Sequence, residues 1–410
     1  MLRRAIDRYQ AWAAALLISG LCFAGAWAIA GRVSLPADSD FNVIRWELRH
    51  LPDKWLYLTG RFFRGGLSAQ EEDARLGRYL VLTARSEALE RAAEDGTPPA
   101  ELCRLRDERD GLENDVEAII EGRLTAVLED EGLASSLPLF PDARWVFPPV
   151  DVELDAAPRV LAVSRRDRIE LIEQRPLRAD LSAEDIRNVE AEIERDGARS
   201  AFVDALAGIA LYPSIVAPRA SYQLLVETIA HEWAHHYLSF KPLGARYLSS
   251  VELRTLNETV ADITGQELAS LVVERYPLSA AAEAELEALR PPEPPVDVGV
   301  ALHQLRLDVD ELLGVGKIAE AEALMEQRRK ELADQGVYYR RINQAFFAFR
   351  GLYATDPGSV DPIGEKLLSL RERTGSTGAF LRAAAELTGG GDLDRLLAGD
   401  ARAPGGRERR

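Results

Sequence analysis

The sequence predicts an α+β fold in which a small mixed sheet is followed by two long helices, with helical segments on either side and one transmembrane helix in front. An uncharged run stands near the N-terminus, short β-prone runs cluster in the middle of the chain, and helical periodicity dominates elsewhere. The 410 residues are 47% hydrophobic and 29% charged. This is ordinary globular composition, which excludes a wholly disordered chain and a multi-pass membrane protein.

Charge and cysteine content restrict the partners and the kind of metal site. Fifty basic against 67 acidic residues give a net charge of −17, a field that repels phosphates, so no nucleic-acid partner is expected. The two cysteines, Cys22 and Cys103, are too few for a disulfide framework or a cysteine zinc cluster. A metal site in this chain would therefore use histidine and carboxylate ligands.

The N-terminal residues 1–32 are predicted to anchor the chain in a membrane. Residues 11–31 carry no charge and, at about 1.5 Å per helical residue, span roughly the 30 Å of a bilayer core. Three arginines before this run favour a cytoplasmic N-terminus, so the remainder is expected outside the cytoplasm, as a single-pass cell-membrane protein. A signal peptide cleaved after Ala28-Ile29-Ala30, followed by secretion, is the alternative.

Residues 33–136 are predicted to form a juxtamembrane segment and an acidic helical hairpin. Aromatic and basic residues alternate over 41–63, which suits a membrane headgroup region and packing on the chain's own domain equally well. Residues 68–93 and 99–130 are acidic and helical, with glycine and proline between them. The apolar stripe of the second arm is expected to pack within the molecule, since a dimerising coiled coil needs a longer heptad register.

Residues 137–290 have the pattern of a small sheet followed by two periodic helices, over residues 221–240 and 251–273. Gly208–Val216 is predicted as one strand, which Pro213 confines to a sheet edge. Such an edge, near Ala210–Pro213, can accept an extended peptide. Shorter β-prone runs and a helix capped by Ser182 precede it, at residues 144–147, 152–154, 159–164, 168–173 and 184–194.

The first of the two helices carries the motif His231-Glu232-Trp233-Ala234-His235. Residues four apart share a helix face, so both imidazoles can reach one metal ion, and Glu232 can serve beside it as general base. Leu238 and Lys241 occupy the positions where metzincins have glycine and a third histidine, which excludes that class. The second helix carries Asn257-Glu258-Thr259-Val260-Ala261-Asp262, whose two carboxylates again lie four residues apart.

This pair of motifs resembles the gluzincin, or thermolysin-like, arrangement of H-E-x-x-H on one helix and N-E-x-x-x-D on the next. The resemblance covers about residues 209–273 and implies a zincin-like metallopeptidase domain with one zinc ion per chain. It also implies hydrolysis of peptide bonds by a zinc-activated water. Carried onto this sequence, the roles are metal ligand for His231, His235 and Glu258, general base for Glu232, and support of the ligands for Asn257 and for Asp262, which would hydrogen-bond His231.

Residues 296–390, after a proline-rich break, are predicted as an all-helical C-terminal domain, with a flexible tail at 391–410. Peptide hydrolysis needs a hydrogen-bond donor for the developing oxyanion, and gluzincins usually supply a tyrosine or histidine from a C-terminal domain. The stretch Ile342–Tyr353 is similar to predicted bacterial aminopeptidases of gluzincin type, which makes Tyr353 the candidate donor. Tyr353 could equally pack between helices, and the competing side chains are Tyr338, Tyr339 and His303.

The leading hypothesis is therefore a membrane-anchored, extracytoplasmic zinc metallopeptidase that acts on a peptide or protein. The alternative is a catalytically inactive zincin-fold scaffold of the envelope, which binds a partner protein through the hairpin of residues 68–130. The intact ligand positions and base favour the enzyme. The substrate, exopeptidase or endopeptidase specificity, and the oligomeric state are left open by the sequence.

Overall fold

Helices make up most of the fold, and small sheets lie between them. The structure is a computed structural model that describes residues 39–43, 46, 67–92, 100–137 and 140–399. No helix within these ranges is long and apolar enough to cross a bilayer, and the uncharged run of residues 11–31 lies outside them. This finding contradicts the predicted transmembrane helix, and with it that part of the fold class, the membrane anchoring and the single-pass extracytoplasmic localisation. The described residues form a mixture of helices and strands.

The acidic hairpin is present, but its second arm is divided. Helix α1 (Ala69–Ala92) is followed by α2 (Ala100–Asp110) and α3 (Glu113–Asp130), with a turn at Gly111 and Leu112 between the last two. The apolar stripe of this arm faces the protein interior, which confirms that it packs within the molecule. Its buried members are Leu102, Leu105, Val116, Ile119, Leu124 and Val127.

The described strands form three separate small sheets rather than the single mixed sheet that was predicted. The strands are β1 (Ala134–Leu137), β2 (Phe140–Val146), β3 (Val152–Leu154), β4 (Arg159–Arg165), β5 (Leu171–Leu177), β6 (Arg199–Ala205), β7 (Gly208–Ile209) and β8 (Ser214–Val216). β1 and β2 pair as a hairpin, and β5, β4 and β6 form an antiparallel sheet in that order. The third sheet has the order β3-β8-β7, with β3 parallel to β8 and β7 antiparallel at the edge.

The segment predicted as one strand, Gly208–Val216, is a hairpin. β7 and β8 pair with each other, and residues 210–213 turn the chain between them. Pro213 is accommodated because a turn requires no ladder hydrogen bond from its nitrogen. The segment Ala210–Pro213, expected to be a peptide-accepting edge, is therefore the turn, and β7 is one of the two edge strands of this sheet.

The remaining helices are α4 (Ala183–Glu194), α5 (Tyr222–Ser239), α6 (Pro242–Ala245), α7 (Val251–Arg275), α8 (Ala280–Leu289), α9 (Val298–Gly314), α10 (Ile318–Asp334), α11 (Gln344–Arg350), α12 (Ile363–Glu372), α13 (Thr377–Ala385) and α14 (Gly390–Ala398). A capping box formed by Ser182 and Asp185 opens α4, as the sequence indicates. The flexible tail predicted from residue 391 is wrong for its first part, because residues 391–398 belong to α14 and Leu393 is fully buried. Residues 400–410 lie outside the described ranges.

The two largest hydrophobic cores among the described residues position the middle of the chain. The larger core surrounds α5 and α7 with side chains of α1, α3 and α12–α14. The smaller core joins α9, α10 and α11 to Phe202 of β6. Residues beyond the proline-rich break thus contribute to both cores, and the last three helices support the same packing as the two motif helices.

Part of the segment before α1 packs on the rest of the chain. Asp40 forms a β-bridge with Leu177, the last residue of β5, and the indole nitrogen of Trp46 donates a hydrogen bond of 2.9 Å to Asp155. Trp46 is buried in a small cluster with Leu211 and other apolar residues. Of the two readings of residues 41–63, these contacts favour packing on the chain itself; residues 47–63 lie outside the described ranges.

Candidate metal centre

Helices α5 and α7 pack side by side in opposite directions and carry both motifs. A serine caps each N-terminus, its hydroxyl accepting the backbone N–H three residues on. Gln223 near the start of α5 bonds Ser270 near the end of α7, whereas His235 near the end of α5 bonds Asn257 near the start of α7. This antiparallel pairing brings the two motifs face to face.

A glycine allows the two helices to come into close contact at the first histidine. A Cβ atom added at Gly265 would lie 2.9 Å from the backbone oxygen of Glu227 and 3.1 Å from both the nitrogen and the Cβ of His231. Backbone atoms cannot retreat from such a contact without moving a helix. Helix packing therefore fixes where His231 stands relative to α7.

Three side chains that could hold a metal ion lie together between these helices. Nε2 of His231 and Nε2 of His235 are 3.0 Å apart, and Oε2 of Glu258 lies 3.6 Å and 3.3 Å from them, respectively. Two ligands at roughly 2.0–2.1 Å from a tetrahedral zinc ion are about 3.3 Å apart, the middle of this range. Two imidazole nitrogens and one carboxylate oxygen are also donors that zinc accepts. The three residues fit a zinc ion by both spacing and chemistry.

Asn257 orients one of the histidines. Its Oδ1 atom is 2.8 Å from Nδ1 of His235, so a protonated Nδ1 donates to the amide oxygen. In the neutral ring the other nitrogen, Nε2, then carries no proton, and it faces His231 and Glu258. Asn257 thus selects the tautomer that a metal ligand requires.

Asp262 lies near His231, but its hydrogen-bond donors are two other side chains. Its Oδ2 atom accepts hydrogen bonds from the Thr355 hydroxyl at 2.7 Å and from the Gln266 amide at 3.2 Å. Burial raises the pKa of Asp262, against the opposing effects of the Thr355 hydrogen bond and of nearby His231. The predicted hydrogen bond from His231 is not among those that Asp262 makes within the described residues.

Glu232 lies against the edge strand of the mixed sheet. Its side chain is buried, and a Cβ atom added at Gly208 of β7 would stand 2.7 Å from its Oε1 atom and 2.9 Å from Cγ2 of Thr228. Glycine therefore allows β7 to pass this close to α5 without displacing the side chains of Glu232 and Thr228. Burial raises the pKa of Glu232 above its usual value. The edge strand and the candidate base are thus immediate neighbours.

The candidate ligands His235 and Glu258 shift each other's pKa in opposite directions. Burial lowers the pKa of His235, but the carboxylate of Glu258 outweighs burial and raises that pKa to about 9. Conversely, burial raises the pKa of Glu258, but His235 and His231 outweigh it and hold that pKa well below its usual range. Glu258 is therefore an anion ready to pair with a positive charge, as a metal ligand must be.

Tyr353 is the one oxyanion candidate that the structure brings to the ligands. Its ring centroid lies 6.1 Å from that of His231. Burial, reinforced by Glu258, raises the pKa of Tyr353 well above 10, so its hydroxyl stays neutral and can donate a hydrogen bond. The competitors are elsewhere: Tyr338 is exposed, Tyr339 packs in the smaller core, and His303 bonds to Pro357.

Tyr247 is a site residue that the sequence analysis missed. It follows the short helix α6 in the connection between the motif helices, and its hydroxyl donates a hydrogen bond to Oε1 of Glu258. Its ring centroid is 6.2 Å from that of His235. The available signal was the short length of the connection, which keeps any side chain in it close to the ligand ends of both helices.

No protein-family model, curated protein or solved structure matches the chain. The resemblance to gluzincins therefore stays a prediction made from the two motifs.

Proposed function

We propose that this protein is a zinc metallopeptidase of gluzincin type, holding one zinc ion per chain. The observation that carries the proposal is the spacing of the donors of His231, His235 and Glu258, at 3.0–3.6 Å. A buried general-base candidate, Glu232, stands beside them, and a neutral phenol, Tyr353, lies on the His231 side. These groups are the ones that metal-assisted peptide hydrolysis requires.

The position of each side chain indicates its role in the proposed hydrolysis. Zinc, when bound, supplies Lewis acidity that polarises a carbonyl and acidifies water. Glu232 takes a proton from the attacking water and passes it to the departing amine, for which its raised pKa is suited. Tyr353 donates a hydrogen bond to the oxyanion, and Asn257 keeps His235 in its ligand tautomer.

The edge strand offers a place for the substrate backbone. β7 is at the edge of its sheet, and Gly208 touches the side chain of Glu232. An extended peptide that pairs with β7 would pass beside the base and the ligands. We therefore infer an unfolded or extended segment as the substrate, bound mainly through its main chain.

The first experiment measures metal content and hydrolysis in the same preparations. We expect about one zinc ion per chain, retained in Glu232→Gln and lost in His231→Ala. Hydrolysis of a broad mixture of fluorogenic peptides should vanish in both variants. His303→Ala and Glu274→Gln repeat the same chemical changes at exposed positions away from the ligands, and should leave zinc content and hydrolysis unchanged.

The outcomes separate the binding site from the chemistry. No zinc in the unaltered chain, or zinc retained in His231→Ala, would rule out the ligand set. Full hydrolysis by Glu232→Gln would rule out its role as base. Zinc binding without hydrolysis of any peptide would favour the inactive-scaffold alternative, which stays a prediction. In this chain the apolar stripe of the hairpin that would bind the partner is buried.

A further inference from the structure

Two hydrogen bonds attach residues 353–355 to helix α7 beside the ligands. The backbone nitrogen of Ala354 donates to Oγ1 of Thr259 at 2.9 Å, and the Thr355 hydroxyl donates to Oδ2 of Asp262 at 2.7 Å. Thr259 and Asp262 are three residues apart and so lie along one face of the helix. We call residues 353–355 the docking segment, since it also carries Tyr353.

We propose that Thr355 is a positioning residue that fixes the carboxylate of Asp262 beside His231 and thereby strengthens metal binding. The inference rests on the proposed function, because it takes His231 as a metal ligand. By this proposal Thr355, about 120 positions from His231 in the sequence, contributes measurably to the zinc affinity of the site.

The arrangement of donors on Asp262 supports this role. Thr355 and Gln266 both donate to Oδ2, and Oδ1 accepts no hydrogen bond from the described residues. Two donors on one oxygen restrict rotation of the carboxylate and leave the other oxygen available to an imidazole N–H. A carboxylate that accepts from a ligating histidine fixes its tautomer and makes it a stronger ligand.

The docking segment is held on both sides, so the Thr355 hydroxyl is presented from a fixed backbone. Arg350 at the end of α11 pairs with Asp356 at 2.6 Å, and Arg306 of α9 donates to the backbone oxygen of Gly358 at 3.2 Å. On the other side, a Cβ atom at Gly364 would overlap the backbone oxygen of Ala354. The segment therefore follows α9 and α12 rather than moving independently.

The test compares zinc affinity in full-length variants by competition with a chelator. Loss of a partner of a ligating histidine typically lowers metal affinity 10–100-fold, and Thr355 acts one bond further out, so we expect Thr355→Val to bind zinc about tenfold more weakly. Thr355→Ser keeps a hydroxyl and should restore the affinity. The Co²⁺ absorption spectrum should shift in the valine variant and return in the serine variant.

Thr377 of α13 provides a matched control, because it bonds a carboxylate of the same helix, α7. Its hydroxyl donates to Oε2 of Glu267 at 2.7 Å, the same kind of bond to α7 at the same length, nine residues beyond Glu258. Thr377→Val should leave zinc affinity and the Co²⁺ spectrum unchanged. Thermal unfolding of each metal-free variant shows whether a change in affinity arises from lost fold instead.

A double-mutant cycle distinguishes positioning from general support. If Thr355 acts through Asp262, Thr355→Val should have no further effect on zinc affinity in an Asp262→Asn background. Equal affinity of Thr355→Val and the unaltered chain, failure of serine to restore it, or additive effects would each overturn the proposal. In each of these cases, zinc binding by the unaltered chain would still support His231, His235 and Glu258 as ligands. No zinc binding at all would overturn both this proposal and the proposed function.

Discussion

Replacing Gly265 by alanine tests whether helix contact sets the metal site. The added Cβ would stand 2.9 Å from the backbone oxygen of Glu227 and 3.1 Å from two atoms of His231, so α5 or α7 must shift by several tenths of an ångström. Overpacking of this kind destabilises by about 1–3 kcal/mol. Alanine, however, favours a helix over glycine by about 1 kcal/mol. The expected net effect is a loss of roughly 0–2 kcal/mol in the free energy of unfolding.

Gly122→Ala is the control for the preference of alanine over glycine in a helix. Gly122 lies in the interior of α3, is exposed, and a Cβ atom there would meet nothing within 4 Å. Gly122→Ala should therefore stabilise the chain by about 1 kcal/mol. Because both variants gain the same helix preference, they should differ by about 1–3 kcal/mol, the overpacking alone.

The assay is urea unfolding of the metal-free chains, followed by tryptophan fluorescence, with zinc affinity measured in parallel. We expect Gly265→Ala to bind zinc more weakly, because the contact displaces His231, and Gly122→Ala to bind it as the unaltered chain does. If both alanine variants are stabilised equally and bind zinc normally, the two helices are not in contact at Gly265 and the reasoning fails.

Three further predictions concern the surroundings of the ligands and the acidic hairpin. Asn257→Ala should lower zinc affinity roughly 10–100-fold, measured by chelator competition, because His235 loses the partner that selects its tautomer. Tyr353→Phe should retain zinc but hydrolyse peptides 10²–10³-fold more slowly, a range typical of losing one oxyanion donor; unchanged turnover would exclude it as the donor. Burial, followed by repulsion from Glu117, raises the pKa of Glu113 to about 9 from 4.5, so the folded chain retains a proton that the unfolded chain releases. Stability should therefore fall between pH 4.5 and 9, by up to about 1.4 kcal/mol per pH unit, and Glu113→Gln should reduce this fall, stabilising the chain at pH 8 but not at pH 4 in urea titrations.

The motif helices could be located from the sequence because their signals are local. Helical periodicity, a serine cap before each, and residues four apart define α5 and α7 and the faces that carry His231, His235 and Glu258. The pairing of Asn257 with His235 also follows once the helices are antiparallel. Such features depend on neighbours within a few turns, which the sequence order already supplies.

The errors arose where distant parts of the chain decide the structure. Residues 208–216 have the apolar content of one strand, and only their packing beside Glu232 and β3 turns them into a hairpin. Residues 391–410 were predicted as a flexible tail, but burial of Leu393 in the larger core stabilises a helix over the first of them. Thr355 reaches Asp262 across about 90 residues, and no local pattern marks such a contact.

The position of the docking segment along the chain gives the site an order of assembly during synthesis. The residues from His231 to Asp262 leave the ribosome about 90 residues before Tyr353 and Thr355, a delay on the order of ten seconds at typical rates of translation. During this interval the proposed ligands exist without the segment that bonds Thr259 and Asp262 beside them. Helices α12–α14, which complete the core around α5 and α7, have not yet been made either. The side chains of the proposed metal site are therefore made before the segment that bonds Asp262 beside them, and the site is complete only after the late segment has joined it.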